Sequence, residues 1–243
     1  MQQFKIFNIP ILFDRDDINK VILLNKNKKG NVNTINANIL VNAFKNKDYF
    51  NVLSKSTFNI CDGSLVSLMI GLLYKKQINS YPGPDFFIDK IIERKYTHTF
   101  LGSTKENLKC LKSELSKVDI SINKSLFLEL PYTNVEDFNY EEISKKVNQF
   151  NSDFIWVSLG APKQEFFSYN LLKYIDKGLI VSVGAAFDFY SGHSKCSRCP
   201  LFLRRLKLEW LYRLFKEPKK TFSRLINELI YMPIIFIKEL LNK

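Results

Sequence analysis

Short apolar runs rich in β-branched and aromatic residues alternate along the chain with longer segments whose apolar positions recur at helical spacing. Residues 58–61, 97–101, 154–157 and 179–183 read as strands, as does the start of the stretch 31–40, and 118–122 follows the same pattern. Residues 4–13 are apolar apart from Lys5 and Asn8 but carry Pro10, which predicts a broken or edge strand. Helical spacing covers 65–74, 86–94, 104–116, 140–150 and 166–174, while 126–138 reads as irregular. Strand and helix alternate with short connections and no internal repeat, which predicts an α/β fold with a mostly parallel, doubly wound sheet.

The polar positions are as patterned as the apolar ones. Four strands end in polar or glycine-rich turns: Thr34 and Asn36; Asp62 and Gly63; Gly160 to Glu165 with Pro162, Lys163 and Gln164; and Gly184 to Asp188 with Phe187. Taken singly, each is ordinary turn chemistry, and a carboxylate such as Asp62 at the head of a helix is most often a cap. In a parallel sheet, however, all four open on one edge, where helix N-termini and unpaired N–H groups hold phosphorylated ligands. A crevice for a nucleotide-type ligand is therefore predicted, with Asp62 standing where a general base would stand. No G-x-G-x-x-G follows the first strand and there is no P-loop, so a dinucleotide cofactor is not expected.

Length and composition leave this picture intact. The 243 residues, 46% hydrophobic and 25% charged, suit one large α/β domain with an appendage. Residues 1–10 do not read as a signal peptide, and four cysteines in a chain this long argue for a reducing, cytosolic setting. Cys196 and Cys199 form a C-x-x-C, but the second pair that a zinc site needs is missing, so no metal is expected.

Charge changes the reading of the C-terminal end. The formal net charge is +12, and residues 193–243 carry twelve Lys/Arg against four acids, two-thirds of the excess. Residues 200–216 read as a helix with leucines on one side and arginines on the other; Glu217-Pro218 stops it, and a second apolar stripe follows over 221–243. The longest apolar run, 229–237, has nine residues, whereas a bilayer span needs about 20. A basic, amphipathic appendage over 193–243, behind a catalytic domain over 1–192, is expected to lie on an anionic membrane surface. Without that membrane it would be prone to self-associate into a homo-oligomer.

The words that carry these features also carry a resemblance. TINAN at 34–38, CDGS at 61–64, YPGPDFF at 81–87, FLGS at 100–103, SLGAPKQE at 158–165, VGAAFDFYSG at 183–192 and EWLYRLFKEP at 209–218 together resemble the WecG/TagA/CpsF glycosyltransferases, glycosyltransferase family 26. These are bacterial enzymes that add a sugar from a nucleotide donor to an undecaprenyl-diphosphate-linked acceptor. The resemblance implies a Rossmann-like core with a membrane-binding C-terminal appendage and metal-independent, inverting transfer from a UDP-sugar, with no cofactor. It implies Asp62 as catalytic base and Thr34, Asn36, Gly63, Gly160, Pro162, Lys163, Gln164, Glu165, Gly184, Phe187 and Asp188 around the donor. Arg198, Arg205, Arg213, Lys220 and Arg224 would meet the lipid diphosphate or the membrane, with Arg213 the best match. The implied setting is cytoplasmic, peripheral on the inner face of the plasma membrane. The chain departs from the family pattern at Ser80 and Lys220, where arginines are usual, and in Arg198-Cys199-Pro200, where R-A-P is usual.

Two rival readings come from the residues themselves. An apolar strand followed by Asp14-Arg15-Asp16-Asp17 could hold a divalent cation, although the acids also precede Ile18, Val21 and Ile22, which makes Asp16 or Asp17 a natural N-cap. The basic end could bind nucleic acid, but it lacks the periodic aromatics of a base-stacking surface, and no nucleic-acid partner is expected.

Overall fold

The computed structural model describes residues 4–193, 198–205, 208–216 and 218–242. Among these, a two-stranded antiparallel hairpin, β1 (Phe4–Ile6) and β2 (Ile9–Ile11), precedes a six-stranded parallel sheet. The sheet comprises β3 (Lys29–Ile35), β4 (Phe58–Cys61), β5 (His98–Gly102), β6 (Leu126–Leu128), β7 (Phe154–Ser158) and β8 (Gly178–Ser182), in the order β4-β3-β8-β7-β5-β6. Helices α1 (Arg15–Leu24), α2 (Ala37–Lys45), α3 (Lys47–Ser54), α4 (Ser64–Tyr74) and α5 (Gly83–Ile92) come first, then α6 (Lys105–Val118), α7 (Tyr140–Phe150), α8 (Lys163–Leu171) and α9 (Ala186–Ser191). The C-terminal segment forms α10 (Leu201–Arg205), α11 (Glu209–Lys216) and α12 (Pro218–Leu241).

The sheet is buried on both faces, as its near-continuous apolar strands require. Val32, Phe58, Phe100, Trp156 and Val181 point to one face and pack with side chains from α1, α5, α6 and α9. Ile35 and Cys61 point to the other and pack with α2, α3 and α4, while Val157 and Ile180 on that face meet α7 and α8. The helix leaving β3 thus goes to one face and the helix leaving the adjacent β8 goes to the other. This is the switch point at which open α/β sheets form their ligand crevice.

The broken strand expected over residues 4–13 breaks at Phe7 and Asn8, whose φ of +50° and +65° turn the chain into a hairpin. Leu12 then bridges to Ile60 at the edge of the main sheet. Residues 118–122 are not a strand, because α6 runs to Val118 and the Asp119 carboxylate accepts the Ser121 N–H to start a 3-10 turn over Ile120–Lys124. The strand is instead β6, inside the stretch that reads as irregular, where Leu126, Phe127 and Leu128 pair with β5. The single helix expected over 200–216 is two segments, α10 and α11.

The C-terminal segment packs on the α/β core. Met232 and Ile235 of α12 are buried among Leu40, Val66 and Met69 of α2 and α4, and Glu239 accepts the Phe7 N–H at 3.0 Å. Among the described residues, no helix is long and apolar enough to cross a membrane.

Candidate functional site

All six parallel strands deliver their C-terminal ends to one broad crevice of about 2370 Å³. Small-molecule pockets commonly measure about 300–1,000 Å³, so this one has room for more than one substrate. Asn36, Asp62, Ser103, Glu129, Leu159 and Gly184, each just past a different strand, all line it. The strands that carry the four predicted polar turns, β4, β3, β8 and β7, are consecutive neighbours in the sheet.

The helix starts give this crevice its chemistry. Helices α1, α2, α3, α6 and α7 are capped by the side chains of Asp14, Asn36, Asn46, Thr104 and Asn139. Helices α4, α5, α8 and α9 begin at Gly63, Pro82, Pro162 and Ala185, with no side-chain cap. All four of these residues line the crevice. The first N–H groups of a helix have no partner within it, and with the helix dipole they favour an anion. Part of this donor set is spent locally, Asp85 N–H on Pro82 O, Gln164 N–H on Gly160 O and Ala186 N–H on Val183 O, so what the converging starts offer an anion is chiefly the positive ends of their dipoles.

Asp62 lies at the head of α4, half-buried, with its N–H donating to Ile35 O at 2.8 Å. The cap position belongs to Gly63, whose φ of +101° is one that L side chains rarely adopt. The Asp62 carboxylate is thus set beside the start of the helix, not in its cap position. Thr34, 4% exposed, donates from Oγ1 to Ser182 O at 3.1 Å, tying β3 to β8 across the switch point. Asn36 spends its carbonyl oxygen on the Ile39 N–H, at 3.1 Å, as the cap of α2.

On the β7 side, the turn runs through Gly160 and a cis Ala161–Pro162 bond into α8. Lys163 carries its Nζ over the Tyr132 ring, 5.1 Å from the centroid, at the crevice wall. Gln164 is buried, with its amide oxygen accepting the Gly184 N–H at 3.0 Å. Asp188 accepts from Asn107 Nδ2 at 3.0 Å, so α6 fixes its carboxylate.

The structure brings Thr34, Asn36, Asp62, Gly63, Gly160, Pro162, Lys163, Gln164, Gly184 and Asp188 to the crevice, with Arg224 of α12. Glu165 and Phe187 do not reach it. Glu165 is fully buried beneath α8, because residue 165 lies on the core-facing side of that helix; burial raises its carboxyl pKa. Phe187, also fully buried, fills the core against Phe87 and Phe100. Arg198 lies outside the lining: its guanidinium bonds Asp85 of α5 and the Tyr190 hydroxyl, fastening the C-terminal segment to the core. The side chains of Arg205, Arg213 and Lys220 and the whole of Cys196 lie outside the described residues.

Asp14 accepts the N–H groups of Asp16 and Asp17, so Asp14 is the N-cap expected at Asp16 or Asp17. Neither Asp14 nor Asp16 is among the residues lining the crevice. Among the described residues, no cluster of His, Cys, Asp and Glu could hold a metal ion.

Sequence reasoning missed part of the wall. The loop from Glu129 to Glu136, with the fully exposed Tyr132, follows β6 and lines the crevice. Reading Leu126-Phe127-Leu128 as a strand would have placed that loop on the same edge as the other turns. Arg204 also lines the crevice, 3.5 Å from Asp85, as does Ser80, at the position where the family pattern has arginine.

The model of the glycosyl transferase WecG/TagA/CpsF family matches residues 4–243. The chain belongs to that family. It is a glycosyltransferase. An N-acetylglucosaminyldiphosphoundecaprenol N-acetyl-beta-D-mannosaminyltransferase from Bacillus subtilis (strain 168) is 30% identical over 197 residues, which cover 77% of this chain and 72% of the relative. A protein of the same description from Staphylococcus aureus (strain MW2) is 24% identical over 234 residues, 95% of this chain and 84% of the relative.

Proposed function

We propose that this glycosyltransferase moves an N-acetylmannosamine-type sugar from a UDP-sugar to N-acetylglucosamine carried on undecaprenyl diphosphate. The acceptor and the sugar are those in the names of the relatives. The observation that carries the reading is the convergence of four uncapped helix starts with the Asp62 carboxylate in one crevice. The helix starts suit the donor diphosphate, and the exposed Tyr132 ring offers a flat face to a base or sugar.

In this mechanism Asp62 takes the proton from the acceptor hydroxyl as its oxygen attacks the anomeric carbon. The C–O bond to the diphosphate breaks on the opposite face, so the carbon inverts once. UDP leaves with its electron pair, stabilised by backbone N–H groups of the crevice turns and by Arg204 rather than by a metal. The enzyme works from the cytoplasm at the inner face of the plasma membrane, where such an acceptor is displayed.

The test is transfer from a panel of UDP-sugars to a short-tailed lipid-diphosphate sugar, followed by product mass. Asp62→Asn is expected to lose at least 10²-fold in kcat while still binding UDP, and EDTA is expected to leave the wild-type rate unchanged. Near wild-type transfer by Asp62→Asn, or abolition by EDTA, overturns the mechanism.

A further inference from the structure

Asn107 stands where a helix start commonly uses its side chain locally, and it finds a distant partner instead. It is the third residue of α6, after the N-cap Thr104, whose hydroxyl accepts the Asn107 N–H at 3.3 Å. A polar side chain at this position often reaches back to the N–H of the cap residue. The Asn107 amide donates to Ser103 Oγ at 2.7 Å and to Asp188 Oδ1 at 3.0 Å. An ionised carboxylate only accepts, which fixes Nδ2 towards Asp188. Asn107 Oδ1 is then buried with no partner among the described residues. The side chain is 4% exposed, and a leucine would fill the same place without an orphaned carbonyl. What the asparagine supplies there is its two N–H groups.

Both of its partners line the crevice, whereas Asn107 itself does not. Ser103 follows β5, and Asp188 lies in the first turn of α9, after β8. Ser103 takes a φ of +64°, rare for a residue with a side chain, and such outliers gather at functional sites. Its hydroxyl accepts from Asn107 and still has a proton of its own to give, while Asp188 brings a carboxylate. One nitrogen thus holds a hydroxyl and a carboxylate side by side on the crevice wall.

Position says which part of a nucleotide-sugar meets this pair. Asp62 follows β4, and β8 and β5 lie two and four strands further along the sheet. At about 4.8 Å per strand, the pair stands about 10–20 Å from the reacting end, with room for a diphosphate in between. A carboxylate at the edge of an α/β nucleotide crevice recurrently takes ribose hydroxyls.

We propose that Asn107 is a positioning residue for the ribose of the donor: it holds the Ser103 hydroxyl and the Asp188 carboxylate where they meet the 2′ and 3′ hydroxyls, and so sets a preference for a ribonucleotide. The inference rests on the UDP-sugar reading above and adds a residue that touches no substrate.

The experiment compares binding of UDP and 2′,3′-dideoxy-UDP to the full chain by calorimetry. The wild type is expected to bind UDP at least about tenfold more tightly. Asn107→Leu is expected to bring the two within about threefold by weakening UDP alone, with dideoxy-UDP kept within about twofold of its wild-type affinity. Circular dichroism checks the fold, and Asn107→Ala carries the same expectation should the leucine variant not fold. Ser103→Gly suits the left-handed backbone and removes the hydroxyl, and is expected to lower the preference at least about threefold. Equal loss of affinity for both nucleotides makes Asn107 a merely structural residue and overturns the proposal. A wild-type preference kept by the Asn107 variant or by Ser103→Gly overturns it too. Wild-type protein that binds UDP and dideoxy-UDP alike sinks this inference and leaves the donor reading standing. Wild-type protein that binds no UDP sinks the donor reading and this inference with it.

Discussion

The amide oxygen of Gln164 accepts the backbone N–H of Gly184 at 3.0 Å, joining the first turn of α8 to the turn that leaves β8. The nitrogen of the same amide donates to Glu165 Oε1 at 2.8 Å. Only one orientation of the amide serves both partners, since a backbone N–H can only donate and Glu165 Oε1 is the acceptor. Two adjacent buried side chains therefore hold two crevice turns in register, although only Gln164 lines the crevice.

Replacing Gln164 by leucine removes that tie. The Gly184 N–H and the buried Glu165 oxygen both lose their partner, at about 1–3 kcal/mol for each unsatisfied group. Urea denaturation is expected to show a loss in that range or above, and calorimetry a drop of at least fivefold in UDP affinity. A variant with wild-type stability and UDP affinity would show that the two turns are held by something else.

Glu165 makes the same contact testable through pH. Burial raises its carboxyl pKa, against the Gln164 hydrogen bond and the neighbouring Tyr49 hydroxyl, which lower it, and the net direction is up from 4.5. The native state thus holds this proton more tightly than the unfolded chain, so the carboxyl costs stability as pH rises above about 4.5 through the raised value. Glu165→Gln keeps an acceptor for Gln164 and has no proton to lose. Its stability relative to wild type is expected to improve in denaturant melts as pH rises above 4.5 and to level off once the raised pKa is passed, and a flat difference from pH 4 to pH 8 contradicts the assignment.

His98 works in the opposite direction. It sits in β5 with Nδ1 accepting from Trp156 Nε1 at 3.1 Å and Nε2 buried without a partner, and burial lowers its pKa from 6.5 to about 4. The native state resists protonation, so stability present above pH 6.5 is lost as pH falls towards 4, by up to about 3 kcal/mol. His98→Gln retains an acceptor for Trp156 and is expected to flatten the decline between pH 6.5 and 4. If the variant declines as steeply as wild type, the acid sensitivity lies with other groups.

What was legible in the sequence follows from how each feature is encoded. The parallel sheet and the shared edge of Thr34, Asp62, Gln164 and Asp188 rest on strand runs and breaking residues, which are local signals. Residues 118–122 misled because an apolar run with Asp119 inside it suits a capped turn as well as a strand, and pairing with β5 favoured Leu126–Leu128 instead. Adjacency in their motifs is all that points Glu165 and Phe187 to the donor. Position on a helix decides orientation, and both side chains turn inward. Arg204 and the Tyr132 loop gave no local signal, because they reach the crevice only through the packing of the C-terminal segment and the edge strand β6.

Gly83 joins sequence to site most narrowly. A Cβ at this first residue of α5 would lie 3.0 Å from Thr34 Cγ2 and 3.1 Å from Thr34 Oγ1. Thr34 cannot turn aside without breaking its hydrogen bond to Ser182 O in the buried wall of the crevice. Alanine would also favour the helix by up to about 1 kcal/mol over glycine, offsetting part of the strain. Gly83→Ala is therefore expected to change stability by no more than about 1 kcal/mol, yet to lower kcat/KM at least tenfold by displacing Thr34. The double variant Gly83→Ala/Thr34→Ser removes the methyl group nearest the new Cβ and keeps the hydroxyl. If steric displacement is the cause, the second substitution restores part of the lost activity, a non-additive result; strictly additive losses would place the effect of Gly83 elsewhere in α5.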